Sequence, residues 1–259
     1  IDPAGARGID ARGKLVMPGL INAHMHFYST LVRGLGKAAP ARDFDEVLRN
    51  LWWRLDRKLT LEDTYISAIL MMLAAVRKGT TTLIDHHASP NAIPGSLDGI
   101  AEAVLASGIR GVLSKIVMDT ATYASKDDWM HPGMREDRAT TLRDTLLAFD
   151  RWNGADGRLQ IWFGPRTPGG VTPELYKEIS RLAQARGMGI TVGTGLDVGG
   201  KGVSVGVAVA TGTGMPDEPV SSLSQFGAES RLGLWLSVSH MVCTLAGQPS
   251  AANETYMSR

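Results

Sequence analysis

A chain of 259 residues with a single cysteine, Cys243, can form no internal disulfide and no cysteine-based zinc cluster. That points to a reducing compartment, with Cys243 most simply a small core residue. Charge excess is also lacking: 27 basic against 26 acidic residues give a formal net charge of +1, which argues against a general attraction to nucleic acid or to an anionic membrane. No run of about 18 apolar residues is long enough to span a bilayer. Ile1-Asp-Pro-Ala-Gly-Ala-Arg7 is not the charged start and apolar stretch of a signal peptide. The expected setting is the cytoplasm, and the expected partners are small, nearly neutral molecules. The chain does not open on methionine, so a segment of something longer is expected. Hydrophobic residues make up 44% of it, enough for a sizeable core in one large α/β barrel or two smaller domains.

Histidine is scarce too, with six residues at positions 24, 26, 86, 87, 131 and 240. Two of them close the stretch Leu15-Val-Met-Pro-Gly-Leu-Ile-Asn-Ala-His-Met-His26. Pro18-Gly19 bends the chain, Leu20-Ile21 begins a strand, and alternate side chains of a strand share a side. His24 and His26 therefore face one way, where two imidazoles can share a metal ion. Two histidines on the solvated end of a strand fit the same spacing.

Strands and helices then alternate. Phe44, Val47, Leu48, Leu51 and Leu55 recur at helical spacing, and Trp52-Trp53 either line a pocket for a flat heterocycle or pack into the core. Thr60-Leu-Glu-Asp63 has the form of a capping box for a helix reaching Gly79. Thr80-Thr-Thr-Leu-Ile84 is a buried strand ending in Asp85-His86-His87, polar groups at a strand's C-terminal end where a barrel places its chemistry. They serve either that chemistry or the closure of the strand end. A helix over 97–106, a strand over 109–118, a helix over 142–152 and a strand over 159–164 follow. Arg166, just past that fourth strand, either orients an anionic or carbonyl group or binds backbone carbonyls. Thr172-Pro173 starts the next helix, Gly189–Val192 is a fifth strand, and Leu223–Leu236 a last helix. The order βαβα with short turns argues for parallel strands covered by helices.

Val16-Met-Pro-Gly-Leu-Ile-Asn-Ala-His-Met-His26, Ser29-Thr-Leu-Val-Arg-Gly34 and Gly79-Thr-Thr-Thr-Leu-Ile-Asp-His86 together resemble the amidohydrolase superfamily, in its branch of cytosine and guanine deaminases and triazine chlorohydrolases. The likeness runs from about Gly13 to Val192. It implies a TIM-type (β/α) barrel over 15–259, with 1–14 a remnant of the small N-terminal β-sandwich. It implies one divalent metal ion, Zn or Fe, held by His24 and His26, and water activated to attack an sp2 carbon and release ammonia, chloride or an alkylamine. Asp85, His86 and His87 would orient the ligands, while Arg33, Trp52, Trp53 and Arg166 would position a heterocyclic substrate.

The likeness also breaks. The branch carries a metal-binding histidine at the end of strand five, another on strand six and an aspartate on strand eight. Here Gly193 follows Val192, Gly214 stands where the aspartate is expected, and Asp217 comes three positions late. Only 21 positions separate Gly193 from Gly214, where two βα units need roughly 60 residues. The barrel is therefore expected to be incomplete, with about six of eight strands, and the expected function is a metal-dependent hydrolase of C–N or C–Cl bonds in amino-heterocycles. The alternative is a catalytically silent remnant serving as a binding or assembly module. Apolar faces left uncovered would favour association with another copy.

Overall fold

The computed structural model describes residues 5, 8–36, 39–120, 129–166, 170–197 and 203–211, with the last nine, 193–197 and 44 by backbone alone. One sheet organises them: β1 (Leu20–Met25), β2 (Thr80–Asp85), β3 (Arg110–Val117), β4 (Leu159–Pro165), β5 (Gly189–Asp197) and β6 (Val203–Thr211) lie side by side in chain order. The first five are parallel. Each connection between them carries a helix: α1 (Leu61–Val76), α2 (Ser96–Ser107), α3 (Arg138–Trp152) and α4 (Pro173–Arg186). The result is a curled half-barrel with helices on its outer face, the architecture of an incomplete TIM-type barrel.

The count of six barrel strands needs correction. β6 pairs antiparallel to β5 over its whole length, Gly189 opposite Thr211 and Asp197 opposite Val203. The physical reason is the connection, 198–202, because a parallel return needs a crossover of a dozen or more residues and a five-residue link allows only a hairpin. Ala210 and Thr211, whose surroundings resemble an eighth barrel strand, thus end the outer strand of a hairpin. The expected helix at Leu223–Leu236, Gly214, Asp217, His240 and Cys243 lie outside the described residues.

Alternation explains the core. Leu113 and Val117 of β3, Ile161 and Phe163 of β4, and Ile190 and Val192 of β5 face the helices and pack with Ile100 and Val104 of α2 and Leu175 and Ile179 of α4. Each such side chain contributes about 1.5–3 kcal/mol on burial. Trp162, between Ile161 and Phe163, faces the barrel interior and lies over Gly189, where a Cβ would sit 2.4 Å from the indole. Glycine is what lets β4 and β5 carry a tryptophan there.

Helix boundaries follow their capping chemistry. Thr60 accepts from the N–H of Asp63, and Asp63 accepts from that of Thr60, completing the capping box of α1. Asp137 accepts from Thr140 and starts α3 at Arg138, earlier than the expected 142, because the apolar stripe begins only at Leu142 whereas the cap lies five residues before it. Thr172 caps α4 as its sequence implies. The expected helix around Trp52 is built in three short pieces, Phe44–Val47, a π-helical turn Leu48–Trp52, and Trp53–Asp56. No single helix among the described residues is long and apolar enough to cross a membrane.

Candidate active site

His24 and His26 sit at the C-terminal end of β1, where the strand is not regular. Asn22 stands opposite Leu83 and Met25 opposite Asp85, so three steps along β1 match two along β2. This bulge re-aims side chains at the strand end. Asn22 supports it: its Oδ1 accepts the backbone N–H of His24 at 3.1 Å, and its amide reaches the sulfur of Met25 at 2.8 Å. The two imidazoles stand edge to face with ring centres 4.8 Å apart. His86, the residue after β2, completes a triangle, 6.1 Å from His24 and 6.0 Å from His26.

The hydrogen bonding fixes one protonation state. Nδ1 of His26 lies 2.6 Å from the carbonyl oxygen of His86. A carbonyl can only accept, so Nδ1 carries the proton and Nε2 keeps its lone pair. Burial lowers the pKa of His24, lowers that of His26 to about 3 with help from His24 and Arg166, and lowers that of His86 well below the usual value. All three rings are neutral at neutral pH, the form that binds a metal. Both ring nitrogens of His86 are buried without a normal hydrogen-bond partner.

Behind this triangle lies a second buried layer. Asp85 is fully buried; its Oδ1 accepts the N–H of Phe27 at 2.8 Å, and burial pushes its pKa up to about 8. His87 is also fully buried, with Nε2 2.7 Å from the hydroxyl of Ser89 and Nδ1 3.8 Å from Asp85 Oδ2. Burial lowers its pKa strongly, with Lys115 adding to the effect. Lys115 lies on the core-facing side of β3 and is fully buried, its ammonium donating to Glu136 at 2.9 Å.

The other expected residues separate into two groups. Arg166 joins the cluster: its backbone N–H donates to Val117, and its charge acts on His26, His86 and the buried Asp56. Trp52 stands against Tyr28 with ring centres 6.3 Å apart, and Tyr28 in turn touches His26 and His87. Trp53 is buried with Leu48, Met118, Met130 and Met134, a cluster against which Trp52 also packs. Arg33 is exposed at the end of the turn Phe27–Val32 and makes no hydrogen bond to the imidazoles. His131 caps a short turn by accepting from Gly133.

Sequence reasoning missed Asp56, Tyr28 and the Lys115–Glu136 pair as one buried polar group. Asp56 is fully buried and its pKa is pushed up to about 7 by that burial, opposed by Arg166 and Lys115. Only Lys115 gave a signal, as a lone charge inside an apolar strand. A cavity of about 330 Å³ lies elsewhere, at the N-terminal ends of β3 to β5, lined by Arg110, Trp162 and Met188 among others.

Among the described residues no three His, Cys, Asp or Glu side chains form a complete metal-binding group. The chemistry of His24 and His26, two adjacent neutral imidazoles of which one has a fixed tautomer, nonetheless fits part of a donor set.

A family model described as the amidohydrolase family matches residues 15–201. The chain belongs to the amidohydrolase family. Among its relatives, a 5'-deoxyadenosine deaminase of Methanobrevibacter smithii is 34% identical over 185 residues, covering 71% of this chain and 38% of the relative. A 5-methylthioadenosine/S-adenosylhomocysteine deaminase of Caldanaerobacter subterraneus subsp. tengcongensis is 32% identical over 185 residues, with the same coverage of 71% and 38%. The amidohydrolase fold is also found by shape. A guanine deaminase from C. acetobutylicum with bound guanine matches with TM-score 0.58 at 18% identity, over 73% of this chain and 42% of that one. An atrazine chlorohydrolase from Arthrobacter aurescens TC1 complexed with zinc matches with TM-score 0.55 at 21% identity, over 68% and 40%. This amidohydrolase chain thus spans less than two fifths of the length of the two deaminases it matches.

Proposed function

We propose that this chain carries the first half of the site of a metal-dependent hydrolase that cleaves C–N bonds, or C–Cl bonds, of amino-heterocycles. The observation that carries the reading is the His24–His26 pair at the end of a parallel strand, with the His26 tautomer fixed by the carbonyl of His86. The relatives named for deaminating adenine nucleosides and the neighbours named for guanine and triazines support substrates among purines, pyrimidines and triazines. His24 and His26 would hold one zinc or iron ion. Such an ion supplies Lewis acidity that makes hydroxide available near neutral pH.

The remaining work falls to the chain's own side chains. Arg166 presents a fixed positive charge beside the imidazoles, suited to a carbonyl or ring nitrogen on which negative charge builds during addition. Trp52 and Tyr28 give a flat ring an aromatic wall. Asp85 and His87 hold the strand ends, and the family's small β-sandwich would claim 1–14. We infer a soluble, cytoplasmic setting. The exposed run Leu15, Val16, Met17, Leu20 and Ile21 supports association with another copy, which a monomeric sedimentation profile at micromolar concentration would count against.

The test is metal content per purified chain, followed by ammonia release from 5'-deoxyadenosine, guanine, cytosine and amino-triazines with added zinc or iron. Activity that vanishes in His24→Ala/His26→Ala supports the hydrolase. No bound metal and no release under either metal supports a silent barrel module instead.

A further inference from the structure

The exits of β1 and β2 are joined by three hydrogen bonds between residues about 60 positions apart in sequence. His86 N–H donates to the Met25 carbonyl at 2.8 Å, His26 Nδ1 donates to the His86 carbonyl at 2.6 Å, and Phe27 N–H donates to Asp85 Oδ1 at 2.8 Å. Two of these involve groups that any residue at 86 would supply. The third depends on the side chain of Asp85, which is fully buried and spends one oxygen on this contact while the other has no hydrogen-bond partner. Leaving a carboxyl oxygen unpartnered in the core is unfavourable, so a position that keeps it calls for a compensating role.

Phe27 is the residue through which Asp85 reaches the imidazoles. Its ring is buried in the main core, its carbonyl accepts the Ser67 hydroxyl at 2.6 Å, and its N–H is held by Asp85. The peptide group between His26 and Phe27 is further fixed because the His26 carbonyl accepts both the N–H and the hydroxyl of Ser29, at 3.2 and 2.9 Å. With that peptide plane held, the His26 Cα–Cβ bond has one direction. The ring then meets the His86 carbonyl through Nδ1, which leaves Nε2 unprotonated on a ring that stands edge to face with His24 at 4.8 Å.

We propose that Asp85 is a positioning residue: by accepting the Phe27 N–H it holds the His26 imidazole against the His86 carbonyl in its Nδ1-protonated form, which leaves Nε2 free of its proton to ligate a divalent cation. The inference rests on the metal-site reading for His24 and His26. It assigns Asp85 no contact with metal or substrate. Partners that hydrogen-bond a ligating imidazole directly change metal affinity about 10- to 100-fold when removed; Asp85 acts one peptide group further out, at the lower end of that range.

The test compares the full chain with Asp85→Ala, which removes the acceptor, and Asp85→Asn, which keeps an amide oxygen for Phe27. Stripped protein is titrated with Co²⁺ and its visible absorption followed. Separately, long-range ¹H–¹⁵N spectra of the metal-free protein report the His26 tautomer. Asp85→Ala is expected to weaken Co²⁺ binding by about 10-fold and to mix the two His26 tautomers, whereas Asp85→Asn stays close to wild type in both. Asp85→Leu, with the same branched outline and no acceptor, takes the place of the alanine variant if that does not fold.

Unchanged affinity and tautomer without the acceptor would overturn the proposal, as would an asparagine variant as damaged as the alanine one. If wild-type protein binds no Co²⁺, the metal reading fails. The role of Asp85 then stands or falls on the tautomer spectra alone.

Discussion

The buried Lys115–Glu136 pair gives the sharpest test of how this half-barrel is held together. Both side chains are at most 2% exposed, and the ammonium nitrogen lies 2.9 Å from Glu136 Oε1. At that distance and an effective dielectric constant of 20, the attraction is about 6 kcal/mol, most of which offsets the loss of hydration of two ions. Lys115→Met leaves a carboxylate buried without its cation, and Glu136→Met leaves the ammonium facing only more distant acids. Each is expected to cost about 3–5 kcal/mol. Replacing both removes both ions together. Thr141, whose hydroxyl contacts Glu136 Oε2 at 3.2 Å, keeps its other acceptor at the Asp137 carbonyl, 3.1 Å away, so the double variant strands no hydroxyl. It should stay within about 2 kcal/mol of wild type.

Urea unfolding of the four proteins, monitored by tryptophan fluorescence, measures the cycle. The expected coupling energy is about 4 kcal/mol or more, well beyond the ~0.5 kcal/mol within which independent sites add. A second readout follows from the neighbours: Lys115 favours ionised Asp85 and Asp56 and disfavours protonated His87. Lys115→Met should therefore extend the alkaline loss of stability toward higher pH. Single variants that each cost under 1 kcal/mol and combine additively would refute the reasoning, because they would mean that water reaches the pair.

Stability should peak near pH 6.5. Asp85 and Asp56 have folded pKa values raised to about 8 and about 7, so the fold binds protons that the unfolded chain has released, and the contribution of these two groups falls as pH rises from about 4 to 8; below about 6.5 the four histidines outweigh it. His24, His26, His86 and His87 are shifted downward, so stability falls as pH drops below about 6.5; each uncompensated proton changes it by about 1.4 kcal/mol per pH unit, and urea midpoints that do not vary between pH 5 and 8 would contradict both shifts. Gly189→Ala should cost about 1–3 kcal/mol through the clash with Trp162, and a thermal melt in which Trp162→Leu restores the alanine variant would identify the clash as the cause. Thr60→Ala should lower stability by about 1 kcal/mol by removing one half of the capping box, with Asp63→Ala/Thr60→Ala costing little more than either single change.

The strands and helices were legible because each signal is local. A cap at Thr60 or Thr172, a β-branched run at Thr80–Thr82 and a glycine at 79 or 187 act within a few residues, and the structure places elements where those residues imply. The His24–His26 pair was legible for the same reason, since one strand carries both. The direction of β6 was readable only from the length of its link: glycine and valine content marks a strand without saying whether it returns parallel or antiparallel. Trp53 shows the limit of residue type. It looked as suited to a substrate wall as Trp52, yet Trp53 is wholly buried among Met118 and Met130, whereas Trp52 packs against that cluster and also reaches Tyr28.

The buried polar layer was not legible, and the reason is topological. Asp56, Asp85, Lys115, Glu136 and Arg166 come from five separate segments, and the charges that act on Asp56 come from the other segments. Parallel strands bring Asp85, Lys115 and Arg166 toward one rim, where Asp56 and Glu136 join them from segments outside the sheet, so residues from 21 to about 110 positions apart act on one another only when the sheet forms. The same rim carries His26 against the His86 carbonyl and Phe27 against Asp85. Orientation of the imidazoles is therefore a property of the β1–β2 pairing rather than of the histidine motif. An isolated peptide containing Leu15–His26 has both histidines at the same spacing, but no acceptor for His26 Nδ1 and none for the following N–H. It should bind Co²⁺ more weakly than the folded chain, through a mixture of ring tautomers.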